Sequence, residues 1–350
     1  MRKLVLLLIM LATNLHAANL YQIPATSSPS TKLIIYGAAD YPAISPLLMA
    51  FHHKYPNIDI EYTEGNTLKL YQKFLAVQPN GPDVMLSSAM DLQFKLVNDG
   101  YARAYLSSET ERLPHWANWR NEIFGFTYEP AVIVVNKTLL ESTDIPRSRS
   151  ELLTLLRRQS ESLKGRIGTF DIERVGIGYL TWANDRQQTT SYGRLLEAFG
   201  NSLARQFPSS ASMLQSLQDK ELTIAYNVLG SYANSWAKIY PDLQVILPED
   251  FTTLVMRSAF ISRSARNPES ARLFIDFLLS KEGQRILADA SSLYPIRDDI
   301  PGYETVTSLI KIDDSRFKPI YLDLSLLAIS DKSKKQIILD EWDSAMRSYP

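Results

Sequence analysis

The chain has 350 residues, 37 basic against 38 acidic, and 45% of its residues are hydrophobic. A near-neutral charge excludes a nucleic-acid reader, which needs a basic stripe, and the length suffices for two domains around a large core. With no cysteine, disulfides and thiolate chemistry are excluded, and no thiol is present to carry a lipid.

Arg2 and Lys3 open the chain, Leu4 to Ala12 is an almost unbroken apolar run, and Thr13-Asn14 interrupts it before the small pair Ala17-Ala18. That order predicts a cleavable signal peptide over residues 1–18. The run falls well short of the roughly 20 residues of a membrane span. The cut is loosely specified: after Ala17 it leaves Leu15 three positions back, and after Ala18 it leaves His16. The expectation is a soluble protein, free in a periplasm. Residues 19–31 are rich in Ser, Thr and Pro and read as a flexible leader.

Order is expected from residue 32. Residues 32–36 form a β run ended by Gly37, and a helix follows with Ser45 as N-cap and Pro46 as its first residue. Residues 58–62 alternate like a strand, and Gly65-Asn66-Thr67 leads into a helix over 68–77. A third strand at 83–87 and a helix at 89–99 complete a strand–helix rhythm. The rhythm predicts an α/β fold with a mostly parallel sheet. Two β runs at 124–128 and 131–135 are read as broken by Glu129-Pro130. A helix at 147–159, a strand at 166–170, helices at 195–199 and 211–217, and a strand at 222–226 follow. Residues 245–247 and 254–261 are β runs around Pro248-Glu249-Asp250. The C-terminal part is helical: Asn267 and Pro268 start one helix, and a last one lies near 334–346 with Trp342 on its apolar face.

Catalytic signatures are missing. There is no Walker loop, no G-x-S-x-G and no H-E-x-x-H, and Gly176-Ile-Gly178 lacks the third glycine of a dinucleotide site. No enzyme, cofactor or metal site is expected; His52 and His53 occupy adjacent helical positions that cannot face one site together. Small polar residues recur instead where strands end: Gly37 to Asp40, including Ala39; Gly65 to Thr67; Ser87 and Ser88; Thr169 to Arg174; and Asn227 to Ser231. In open α/β sheets, ligands bind outside the carboxyl ends of the strands, where helix N-termini favour anions.

These segments resemble a known family. The carriers are PLLMAFHHKYP at 46–56, DVMLSS at 83–88, AYNVLGSY at 225–232, NPESARLFIDFLLS at 267–280 followed by Glu282-Gly283, and Tyr294-Pro295. They resemble bacterial ABC-type extracellular solute-binding proteins of the ferric-iron-binding-like group. The similarity is greatest to the phosphoglycerate-regulator-like and phosphonate or sugar-phosphate branch. The resemblance implies a type II periplasmic-binding fold: two α/β lobes joined by two crossing strands, with the ligand cleft between them. Residues 31–127 plus 252–350 would form lobe one and 128–251 lobe two, the strands crossing near 124–135 and 245–261. Ferric binders of the group use adjacent tyrosines and a His after the first strand. Here the matching positions are Ser231-Tyr232 and Ala38-Ala39-Asp40, which argues against iron. A small anionic solute, an organophosphate or carboxylate, fits better. The expected site is Ala39, Asp40, Thr67, Ser87, Ser88, Tyr128, Arg174, Asn227 and Ser231, with Arg174 pairing the anion. Expected partners are that solute and a membrane permease or a sensor kinase, with the protein a monomer.

Overall fold

A computed structural model describes residues 19–291, 293–303 and 305–347; the signal-peptide expectation falls on residues outside it. In chain order, the first part contains β1 (Asn19–Ile23), β2 (Thr31–Gly37), α1 (Tyr41–Lys54), β3 (Ile58–Glu64), α2 (Thr67–Ala76), β4 (Val84–Ser87), α3 (Met90–Asn98), β5 (Ala102–Arg103), β6 (Asn118–Trp119) and β7 (Ile123–Asn136). Next come α4 (Arg149–Arg158), β8 (Ile167–Phe170), α5 (Gly176–Gln188), α6 (Tyr192–Asn201), β9 (Arg205–Phe207), α7 (Ser210–Gln218), β10 (Ile224–Leu229), α8 (Gly230–Ile239) and β11 (Leu243–Ile246). The chain closes with β12 (Thr252–Ser262), α9 (Pro268–Leu279), α10 (Lys281–Ser291), β13 (Tyr294–Pro295), α11 (Val306–Ile312), β14 (Phe317–Pro319), α12 (Ser325–Ile329) and α13 (Lys332–Met346).

The strands run β1-β3-β2-β4-β12-β7-β10-β8-β9. Parallel pairs (β2 with β3 and β4, β8 with β9 and β10) lie in the two wings, and antiparallel pairs join them through β12 and β7. β7 belongs to both wings. Its first half pairs with β12, from Phe124 to Pro130, and its second half pairs with β10 and β11. Every residue of β7 and β12 is buried. The fold is thus the expected type II arrangement of two α/β lobes. Glu129-Pro130 does not interrupt β7. Pro130 lacks only a donor, and Glu129 is held by an ion pair described below.

Two local readings change. Residues 19–23 are not a free leader but an edge strand. β1 pairs antiparallel with β3, Asn19 opposite Glu64 and Ile23 opposite Ile60, and Tyr21 stacks on Tyr41 at 3.9 Å. Helix α1 starts at Tyr41 with Asp40 as its N-cap, so Pro42 takes the early position and Pro46 lies inside the helix. The glycines of Gly176-Ile-Gly178 serve packing at the start of α5. A Cβ on Gly178 would lie 2.4 Å from Phe170, and one on Gly176 would lie 2.8 Å from Leu92. At the C-terminus, α13 packs on α6, Trp342 sits 5.1 Å from Trp182, and Arg186 pairs with Glu341.

Candidate solute-binding cleft

A cleft of about 550 Å³ opens where strand ends and helix starts meet. Asp40, Glu64, Thr67 and Ser88 line it from the first wing, and Asp171, Arg174, Ser209 and Ser210 from the second; Tyr232 and Arg257 complete it. The N-termini of α2, α5 and α7 open onto it. Asn66 caps α2 by accepting from the Leu68 amide at 2.9 Å, and Ser209 caps α7 by accepting from Ser212 at 3.1 Å. Helix N-termini present amides and partial positive charge, a setting that favours anions.

Arg257 brings a buried charge to the cleft wall. It stands in β12 opposite Thr127 of β7, only 2% exposed. Its Nε donates to Glu129 Oε1, and Ser231 Oγ donates to Glu129 Oε2. The ring of Tyr232 lies 5.6 Å from the guanidinium carbon. Burial opposes the guanidinium charge, but Glu129, Tyr232 and Asp40 outweigh it and hold the pKa above its ordinary value. Among the described residues, Arg257 Nη2 has no hydrogen-bond partner. A buried charged donor left unmatched is costly, and this one belongs to a residue that lines the cleft.

Asp40 faces Arg257 across this corner. Burial, then repulsion from Glu64, raises its carboxyl pKa; Arg257 and Tyr232 act the other way. The Asp40 amide donates to Tyr232 Oη at 3.3 Å. Tyr62 Oη donates to the Ala39 carbonyl at 2.5 Å and so braces the same turn. Behind Asp40 and Tyr232 lies a second cavity of about 290 Å³, which Ser231 also lines.

Of the expected site residues, the cleft gathers Asp40, Thr67, Ser88 and Arg174. Thr67 is partly engaged, since its Oγ1 accepts from the Ile177 amide of α5 at 3.2 Å. Arg174 has an 82% exposed side chain, 3.6 Å from Asp171. Ala39, Ser87, Tyr128, Asn227 and Ser231 do not line it. Ser87 Oγ accepts from the Ala89 amide at 3.1 Å. Tyr128 is buried with its ring 5.2 Å from Tyr294. Asn227, at a positive φ of 60°, donates to Asp185 at 3.0 Å inside a buried network with Arg149 and Tyr226. Arg257 was not among the expected residues. Its signal was present, because a charge inside the apolar run 254–261 must find a partner when that strand is buried.

The sequence profile described as "bacterial extracellular solute-binding protein" matches residues 33–290. The chain belongs to that family. This solute-binding protein is also similar in structure to the substrate-binding protein of an ABC transporter from Agrobacterium tumefaciens. There the TM-score is 0.90 and the identity 32%, covering 94% of this chain and 99% of the other. At lower identity, where likeness shows the fold alone, it resembles the periplasmic binding protein AfuA of Actinobacillus pleuropneumoniae, solved with fructose-6-phosphate bound. That match has a TM-score of 0.74 at 19% identity, over 91% of this chain and 99% of that one. Iron-bound HitA from Pseudomonas aeruginosa matches with a TM-score of 0.71 at 16% identity, over 90% and 99%.

Proposed function

We propose that the protein is exported by an N-terminal signal and, in the periplasm, captures a small anionic solute for a membrane permease. The observation that carries this reading is Arg257: a buried guanidinium in the cleft wall with Nη2 unpartnered. A carboxylate or phosphoryl oxygen supplies what that donor lacks, in a bidentate or single charge-assisted bond. Ser88 and the amides at the starts of α2, α5 and α7 add neutral donors, and Arg174 guards the open side. Catalysis has no part in this reading. The lobes are residues 31–127 plus 252–350 and residues 128–251, with α13 laid across onto the second, and the protein works as a monomer.

A thermal-shift screen tests the ligand class, because a solute that binds only the native state raises the melting point by mass action. Phosphorylated and polycarboxylic metabolites are expected to raise Tm. Shifts confined to ferric salts, with a visible tyrosinate–iron colour, would replace the anion by iron, since Tyr232 and Asp40 are oxygen donors at the same corner. A sensor-kinase partner in place of a permease would use the same ligand-bound protein.

A further inference from the structure

The second cavity, of about 290 Å³, adjoins the solute cleft, because Asp40 and Tyr232 line both. Asp40 stands before α1 and Tyr232 on α8. The Asp40 amide reaches Tyr232 Oη at 3.3 Å, at the long end for such a bond, and the same hydroxyl meets the Asp40 carboxylate. The partition between the two spaces is therefore a polar contact between two side chains from distant parts of the chain.

The second cavity has walls suited to an uncharged group. Ala43 on α1, Ala211 on α7 and Ala290 on α10 leave its space open, and Trp236 on α8 gives it an aromatic face. Among the described residues that line it, Asp40 alone is charged, and that carboxylate is already engaged with Arg257 and Tyr232. Ser231 Oγ donates to Glu129. Ser291 Oγ, on a residue only 9% exposed, has no hydrogen-bond partner among the described residues. A buried hydroxyl without a partner is costly, and small-molecule sites combine a few such polar atoms with mainly apolar walls.

We propose that the solute is longer than the cleft: its anionic end meets Arg257, and an uncharged, largely apolar end with a hydrogen-bonding atom for Ser291 lies in the second cavity beside Trp236. This rests on the anion-capture reading and narrows it to phosphates or carboxylates that carry an apolar substituent. The solute threads the Asp40–Tyr232 contact, which opens to admit it, and the depth of the second cavity sets how long a substituent fits.

The test is isothermal titration of the whole protein with two series of probes: inorganic phosphate, phenyl phosphate and 2-phenylethyl phosphate in one, malonate and benzylmalonate in the other. In at least one series an aromatic member is expected to bind at least tenfold more tightly than its parent anion. Ala290 is exposed and lines the second cavity but not the cleft, so Ala290→Phe fills the cavity at little cost to the fold; Ala211→Phe fills it from α7. In either variant, with an unchanged Tm, the aromatic member is expected to lose at least fivefold in affinity while the parent anion keeps its Kd. Parent anions that bind with no gain from the ring, or a gain that survives both substitutions, overturn the proposal and leave anion capture intact. No binding by any of the probes overturns anion capture and the proposal together.

Discussion

Arg257 and Glu129 occupy neighbouring strands that are buried along their whole length, and Glu129 cannot turn to water. Removing one partner strands the other. Glu129→Gln is expected to lower unfolding free energy by about 3 kcal/mol, the low end for a broken buried pair, measured by urea denaturation. An unchanged stability would mean that Arg257 draws its compensation from elsewhere. Asp91, buried in α3, is the second instructive residue. Burial lifts its carboxyl pKa from 3.8 to about 6, with Lys335 pulling the other way, and its Oδ1 has no hydrogen-bond partner among the described residues. The folded chain therefore holds this proton to higher pH than the unfolded chain. Stability from Asp91 is greatest below 3.8 and falls as pH rises through about 6. Asp91→Asn removes that loss, so the mutant's stability relative to wild type should grow by about 2–3 kcal/mol between pH 3.8 and 7. Parallel denaturation curves at both ends of the window check it, and a constant difference would place the proton elsewhere.

The helices that open on the cleft also meet one another across it. Gly176 starts α5 against α2 and α3: a Cβ there would lie 2.8 Å from Leu92 and 3.0 Å from Thr67 Oγ1, and the next amide, Ile177, donates to that same oxygen. Gly176→Ala is expected to hold the lobes apart. Isothermal titration with an anion identified in the thermal-shift screen should show at least fivefold weaker binding, about 1 kcal/mol; equal affinity would show that Leu92 yields. The role of these glycines was partly legible in sequence: a G-x-G without a third glycine is weak as a nucleotide motif, but what it packs against depends on tertiary contact. β1 was not legible, because its ladder depends on the register of β3 and the surrounding Ser, Thr and Pro composition masks a five-residue strand. α1 was read from Pro46, whereas Asp40 and Pro42 start it one turn earlier. Two candidate starts of the same chemistry stood close together, and local propensity could not rank them.

For the whole molecule, the strand–helix rhythm sufficed to predict an α/β fold, because periodicity and turn chemistry are local properties, and the two lobes were expected from the family resemblance. The candidate cleft was only half legible. Strand-end reasoning finds residues such as Asp40, Thr67, Ser88 and Arg174, which the sheet gathers by topology. It also selects Asn227 and Ser231, whose side chains turn inward to Asp185 and Glu129. It misses Arg257, which sits within a strand, where only the pairing of β7 with β12 brings it to Glu129 and the cleft. The central claim is that this buried guanidinium holds a small anion between the lobes. Arg257→Lys keeps the charge beside Glu129 but removes the forked Nη2 donor. Isothermal titration of wild type and Arg257→Lys with the anion that most raises the wild-type Tm tests the claim most directly. At least tenfold weaker binding by a folded variant, about 1.4 kcal/mol, is the predicted result, and an unchanged Kd would contradict it.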